Sequence, residues 1–527
     1  MSRRSLAVFL VLLAACGPSA GGDVDAGADG PGPEADSGAP PDSAPPACDE
    51  STCDPLQGLS CSPTTGRCEG ACAGLGTSYI GCEYYPTVTA NDVDNRFEFA
   101  VAVSNTGAAE ATVTIDGGAL PTSVTLTVPV GRVVTQTLPW QRTLKGCNSM
   151  DQRQCGPVTG SSAHVPGGAY RLRSTQPVTV YQFNPLDYGT PDCDACSFTN
   201  DASLLIPVNA MGTDYVAATY QAWDSTSLPN TVGLSPSLLA ITATRDVTRV
   251  TVTPTASSAA GDGVPGLAAG TARTLILNRG DVVQLMAMRG DFTGSWIVAD
   301  APVQVLGAHY CTQIPQGTSA CDHLEESMFS IDRLGASYLV TAPAVPSLPD
   351  GKVEVVRIVA TDQDTTLTFD PPVQPPTTIA RAGEFVELPA TAASFRVTAS
   401  KKVLVAQYMT GQGAGGNTGD PAMALAVPIA QYRTSYQFHA PTNYPSNYVN
   451  ITAPTGATVR LDGADVRGFT PIGATGFGVA RVVLSSAGTG DHVVTASQPV
   501  GVSVYGYGRF TSYWYPGGLQ LDVIDPE

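Results

Sequence analysis

Ile297-Val298-Ala299-Asp300-Ala301-Pro302-Val303-Gln304-Val305 reads as the last strand of a β-unit, and its pattern returns without a gap at Leu172 to Val180, Val397 to Val405 and Val494 to Val502. In each copy an apolar residue is followed two positions on by Ser or Ala, then three positions later by Pro (Lys402 in the third), then by Val-x-Val. Alternate residues of a strand face one side, so Val303 and Val305 point inward and Gln304 outward. A proline opening a strand forfeits no ladder hydrogen bond, which suits Pro177, Pro302 and Pro499.

Working outward, each closing strand is preceded by the same elements. A leader strand carries a tyrosine (Tyr79, Tyr215, Tyr338, Tyr436), and an alternating hairpin follows. Leu239, Ile241 and Ala243 turn into Val250 and Val252; Val356, Ile358 and Ala360 turn into Leu367 and Phe369; Phe99, Val101, Val103 and Val449, Ile451, Ala453 match them. Strict period-two alternation with turn residues between is the signature of half-buried antiparallel strands. About seven short strands in about 100 residues, with turns every 8–12, is the density of a β-sandwich. The fold expected is all-β, with four tandem antiparallel sandwich-like units placed end to end; a propeller-like ring of the same units is the alternative. The units span 76–203, 204–326, 327–424 and 425–527.

The 527 residues are too many for one core. The net charge of −19 argues against nucleic acid, since phosphate binding needs clustered Lys and Arg. Residues 1–15 have a basic start and a short apolar run, as in a signal peptide. They end in Leu13-Ala14-Ala15-Cys16, which resembles the lipobox of a bacterial lipoprotein; that resemblance implies acylation of Cys16 and anchoring by lipid alone. Gly17 in the next position points to the outer membrane and cell surface. Residues 16–47, rich in Gly, Pro, Ala and Asp, cannot bury a core and form a disordered tether.

Twelve cysteines remain after Cys16, an even number in an oxidising compartment. Residues 48–75 make a small disulfide-rich module whose connectivity sequence cannot choose. Cys147 with Cys155 and Cys311 with Cys321 each bracket a loop, and Cys193 and Cys196 are structural disulfide candidates in a Pro/Asp-rich stretch that lacks the helix a redox pair needs. No histidine is spaced for a metal, and no catalytic or cofactor fingerprint is present, so neither metal, cofactor nor enzymatic activity is expected. Asn91, Asp92, Asp94 and Asn95 could approach calcium but equally lead into a strand.

The loops 184–203, 308–326 and 410–424 join one closing strand to the next unit, and connectors at the end of a rigid β-scaffold are where binding residues collect. With 141–168 they make the candidate recognition surface, on which Tyr188, Tyr310, His323 and Asp420 are the candidate contacts. A binder should show an exposed aromatic cluster there, and an enzyme a convergent titratable trio in a pocket.

Asp420-Pro421-Ala422-Met423, Val427-Pro428-Ile429, Tyr444-Pro-Ser-Asn447-Tyr448, Tyr79-Ile-Gly-Cys82 and Cys321-Asp322-His323-Leu324 together resemble the IgGFc-binding protein N-terminal domain family over residues 76–520. The resemblance implies a surface-displayed protein of binding or adhesion, with an extracellular protein or glycan as partner. A structural envelope component and a hydrolase using the acidic loops are the alternatives.

Overall fold

The computed structural model describes residues 48, 52–146, 160–189, 197–224, 234–373, 376–486 and 488–525. The signal peptide, Cys16 and the tether lie outside these residues, as do Cys147, Cys155, Cys193 and Cys196. Strands take 48% of the chain and helices 4%, so the class is all-β. No helix among the described residues is long and apolar enough to cross a membrane.

The closing strand organises each repeat by belonging to two sheets at once. In the first repeat Tyr170–Asn184 is 15 residues long. Its first half pairs with Gly81–Tyr84 and Ala111–Gly117; its second half pairs with Phe99–Asn105 and Asp201–Leu204. The two sheets close on Val101, Val103, Val113, Ile115, Leu172 and Val180, all fully buried. The second repeat splits the same strand into Trp296–Ala299 and Val303–Thr312, while the third and fourth keep it whole as Phe395–Met409 and Asp491–Gly508.

This corrects the place of the proline. Pro177 and Pro499 stand inside their strands, where the strand passes from one sheet to the other. In three repeats the leader strand slips register opposite this point, so the missing N–H interrupts no regular ladder.

The leader tyrosine ties the two halves together. The Tyr215 hydroxyl accepts from Gly212 N at 2.9 Å and donates to Val303 O at 2.8 Å, next to the crossing. Tyr338 does the same between Gly335 N at 3.0 Å and Val403 O at 2.5 Å, and Tyr436 between Arg433 N and Val500 O. In the first repeat this residue is Tyr84, which donates to Val178 O at 2.6 Å. Tyr79, the sequence expectation, instead packs on Tyr436 and Gly518. Gly-x-x-Tyr occurs twice in succession here (Gly76 to Tyr79, Gly81 to Tyr84), and only the second aligns with the crossing.

Of the two arrangements left open by sequence, the contacts are those of a ring. Gln304 Nε2 donates to Tyr85 O at 2.8 Å, joining second to first repeat. Arg357 reaches Asp291 at 2.6 Å and the Tyr408 hydroxyl donates to Thr219 O at 2.6 Å, joining third to second. Ala344 N donates to the Tyr505 hydroxyl at 2.8 Å, joining third to fourth. The fourth returns to the first: Tyr181 donates to Gly517 O at 3.1 Å and Tyr79 N to Leu519 O at 3.2 Å.

Disulfides Cys48–Cys61 and Cys53–Cys68 staple the small N-terminal module, and Cys72–Cys82 ties it to the first leader strand. Its Asp54 lies between Arg173 at 3.2 Å and Arg171 at 3.6 Å on the first closing strand.

Candidate functional site

The ring is closed at its centre by four short strands, one from each repeat: Asp201–Leu204, Asp322–Ser327, Met423–Leu425 and Thr511–Pro516. Each pairs with the second half of its own closing strand, and each packs on the inner strand of both neighbours. Ala202, Glu325, Met423 and Trp514 hold the same register position, opposite Phe183, Ala308, Tyr408 and Tyr505.

The backbone N–H groups of these four equivalent residues converge on one side chain. Asp201 Oδ1 accepts from Ala202 at 2.9 Å and Trp514 at 3.2 Å; Oδ2 accepts from Glu325 at 3.0 Å and Met423 at 3.0 Å. Two residues toward the connectors, Asp322 repeats the device. It accepts from Asn200 at 2.7 Å, His323 at 2.8 Å and Ser512 at 3.2 Å, while the fourth equivalent position is Pro421, which has no N–H. On the other side of Asp201, Glu326 accepts from Ser203 Oγ at 2.7 Å and Ser327 N at 2.9 Å. Burial pushes all three carboxyls well above their ordinary range; the hydrogen-bond donors, N–H groups and for Glu326 chiefly the Ser203 hydroxyl, pull them back, and each has another acid beside it that pushes further.

At the connector end Asp420 accepts from Ala320 N at 2.9 Å and Gln412 N at 3.1 Å, and its Oδ2 has no partner. Burial raises its carboxyl to about 6, against the pull of those donors and of Lys352. The Lys352 ammonium donates to Thr410 O at 2.7 Å and Thr418 O at 3.2 Å, and burial lowers it to about 8.

The sequence candidates therefore divide. Asp420, His323 and Tyr310 are buried, at 0%, 0% and 1% exposure, so they hold the connectors in place. The Tyr310 hydroxyl donates to Asp92 at 3.2 Å, Arg96 pairs with Asp94 at 2.6 Å and Asn91 Nδ2 donates to Asn184 O at 2.9 Å, which occupies the oxygen-rich segment considered for calcium. Tyr188 is half-buried and its ring packs 5.0 Å from Tyr444. Cys311 and Cys321 are bridged, closing the loop that presents Ala320 to Asp420. From the 141–168 stretch, Ala163–Val165 joins the sheet edge of the second repeat beside Val282–Gln284.

Among the described residues, Thr89, His323 and Glu325 converge, but not in the geometry of a nucleophile, base and acid. Thr89 Oγ1 lies 3.2 Å from His323 Nε2 and donates to Glu325, whose Oε2 is itself 3.7 Å from that same nitrogen. A base working between a nucleophile and an acid uses both ring nitrogens, whereas here Nδ1 is unpartnered and all three side chains are fully buried.

The surface above this axis is aromatic. Phe198 and Phe510 stand three residues before equivalent positions of the first and fourth inner strands, and their rings meet edge to face at 5.9 Å. Phe198 is 39% exposed, and the exposed Arg509 guanidinium lies 5.3 Å from the Phe510 ring. Sequence reasoning named neither phenylalanine and passed over Asp201. A lone acid heading the mostly apolar run Ala202 to Val208, and Phe510 between two strand-like segments where Gly or Asn belongs, were the available signals.

No solved structure matches the chain. The human IgGFc-binding protein is 26% identical over 338 residues, which are 62% of this chain and 6% of that relative, so the chain spans a small part of the protein it matches. The family model described as IgGFc binding protein matches residues 201–506. That match starts on Asp201, takes in three of the four crossings and three of the inner strands, and covers more than half of the 527 residues: the chain belongs to the IgGFc binding protein family.

Proposed function

We propose that the protein is an extracellular binding protein that recognises a protein partner with the face where its connectors meet, and that acylated Cys16 and the 16–47 tether hold it on the outer membrane. The observation that carries the reading is convergence. Gly411 N donates to Ile314 O at 2.9 Å, Gly413 N to Ser319 O at 2.7 Å, Asp420 N to Ser512 Oγ at 2.9 Å and Thr511 Oγ1 to Asn200 Oδ1 at 3.0 Å. Connectors from every repeat thus form one surface fixed to the rigid axis, the arrangement in which loops recognise partners. The relative's name adds that at least one family protein binds immunoglobulin Fc.

The test is binding of the mature chain to immunoglobulin Fc, a glycan array and an extracellular protein panel, with the connector face blocked or free. Thr442→Cys lies beside Asn443, which donates to Asp187 of the first connector at 2.6 Å; Val247→Cys lies in an exposed turn at the far end of the second repeat's sheet. A polyethylene glycol maleimide on Thr442→Cys should abolish binding and one on Val247→Cys should leave it intact. The opposite pattern, or a molecule that binds nothing, sinks the reading.

A further inference from the structure

The geometry points to the Phe198–Phe510 pair with Arg509 as the contact centre of the connector face, fitted to a protein segment that sets a carboxylate beside an apolar side chain. This rests on the reading of the connector face given above and names what that face takes.

The first support is conformational. Phe198 and Phe510 both hold φ of 58°, in the left-handed region that a bulky side chain enters only at a cost. The equivalent residue of the third repeat is Gly419 at φ 68°, the residue such a turn favours. Two repeats therefore carry phenylalanine where glycine folds more easily; Val247 holds a similar φ of 57° in an exposed turn, so the strain counts here together with the exposure and pairing of the two rings. The rings are not spent on the core, since Phe198 is exposed and meets its partner across the joint of first and fourth repeats.

The second support is charge. In the described parts of 184–203, 308–326, 410–424 and the equivalent 509–510 turn, Arg509 is the one exposed cation, with Arg142 a further one in the 141–168 stretch, on a chain of net charge −19. Its guanidinium lies over the Phe510 ring, 5.3 Å from the centroid, and an exposed guanidinium is a bidentate partner for a carboxylate; aromatic and Arg side chains together are the composition of interface hot spots. At contact range Arg509 pairs with a carboxylate and repels a basic side chain, so the occupant is an acidic and apolar one.

The experiment uses fluorescein-labelled peptides in which Glu or Asp adjoins Leu, Phe or Trp, with Lys-containing counterparts, read by anisotropy against the mature chain. Wild type should bind the acidic set at least tenfold more tightly than the basic set. F198G and F510G should each weaken acidic peptides at least tenfold with a Tm no lower than wild type, because glycine relieves the strained turn. R509E should remove the acidic preference. Wild-type affinity in both glycine variants, no charge preference, or no peptide bound would overturn the proposal. Fc or glycan binding that survives F198G and F510G but is blocked at Thr442→Cys would remove this contact centre and leave the connector face standing.

Discussion

Asp201 does for four strands what a bound anion does for a helix N-terminus: it gathers backbone N–H groups that would otherwise be buried without partners. Asp201→Asn keeps the shape but turns an amide NH2 against two of those donors. Each orphaned donor costs about 1–3 kcal/mol, so a loss of about 3 kcal/mol or more is expected in urea unfolding; a change under about 1 kcal/mol would show that the convergence is incidental. Asp420 gives a test by pH. Burial raises its carboxyl from the ordinary 3.8 to about 6, so the folded chain holds that proton more tightly. Its contribution to stability is complete below about 3.8 and is lost as pH rises through 6. Asp420→Asn retains the Oδ1 acceptor and carries no such dependence, so the wild-type unfolding midpoint should fall relative to the variant between pH 4 and 7. His309 and His439, lowered by burial to about 3 and about 4, weaken both proteins equally at the acid end and cancel in the comparison. Sequence placed Asp322 and Asp420 in two separate family-like segments, with Asp420 among the candidate contacts. It could not show that they stack with Asp201 and Glu326 on one axis, because donors such as Asn200, Ser512, Ser203 and Ala320 come from repeats other than that of the acid they hold.

The closing strand was legible because its period-two pattern and its Val-x-Val ending are local. The sheet switch inside it was not, since a proline at the start of a strand and a proline where ladder partners change leave the same mark in sequence. The leader tyrosines read correctly in three repeats and one turn early in the first, where two Gly-x-x-Tyr segments compete and only pairing to Leu172 selects Tyr84. Tyr338→Phe removes a hydroxyl bonded to both Gly335 and Val403 and leaves two buried backbone groups unpaired. A cost of about 2–4 kcal/mol is expected, whereas Tyr79→Phe, whose hydroxyl has only a 3.4 Å contact from Gln437 N, should cost less than half as much. Equal losses would remove the tyrosine from its role as the tie across the crossing. Cys311–Cys321 acts on a neighbouring element: it closes the loop whose Ala320 N and Ser319 O hold Asp420 and Gly413 of the third repeat. Cys311→Ser with Cys321→Ser should speed amide hydrogen exchange in 411–420 as well as in 312–321. Faster exchange confined to 312–321 would mean that the two connectors are not mechanically joined.

At the scale of the molecule, three joints of the ring have a connector running through them and the fourth does not. First and fourth repeats meet only through side-chain and backbone contacts, so this joint is where the ring opens first. The chain strengthens it with its last described residues. Gly517 O accepts from Tyr181 at 3.1 Å, Leu519 O from Tyr79 N at 3.2 Å, and Asp522 from Thr77 Oγ1 at 2.6 Å, all on the first repeat. The same segment is held on its own repeat, where Gln431 Nε2 donates to Asp522 O at 2.8 Å, and then crosses to the third, where Ile524 N donates to Asp332 O at 2.9 Å. Leu519 and Leu521 are buried against the same core cluster as Tyr79, Tyr181 and Tyr436. A chain ending at Pro516 keeps all four sandwiches and loses the lacing, together with about 1.5–3 kcal/mol for each buried leucine. It should unfold in two steps where the full chain unfolds in one, with the first step exposing Tyr181 and Tyr515 and raising the radius of gyration measured by X-ray scattering. If the truncated chain unfolds in a single transition at the same midpoint, the inner strands alone close the ring, and Asp201 with its four donors is sufficient to hold the first and last repeats together.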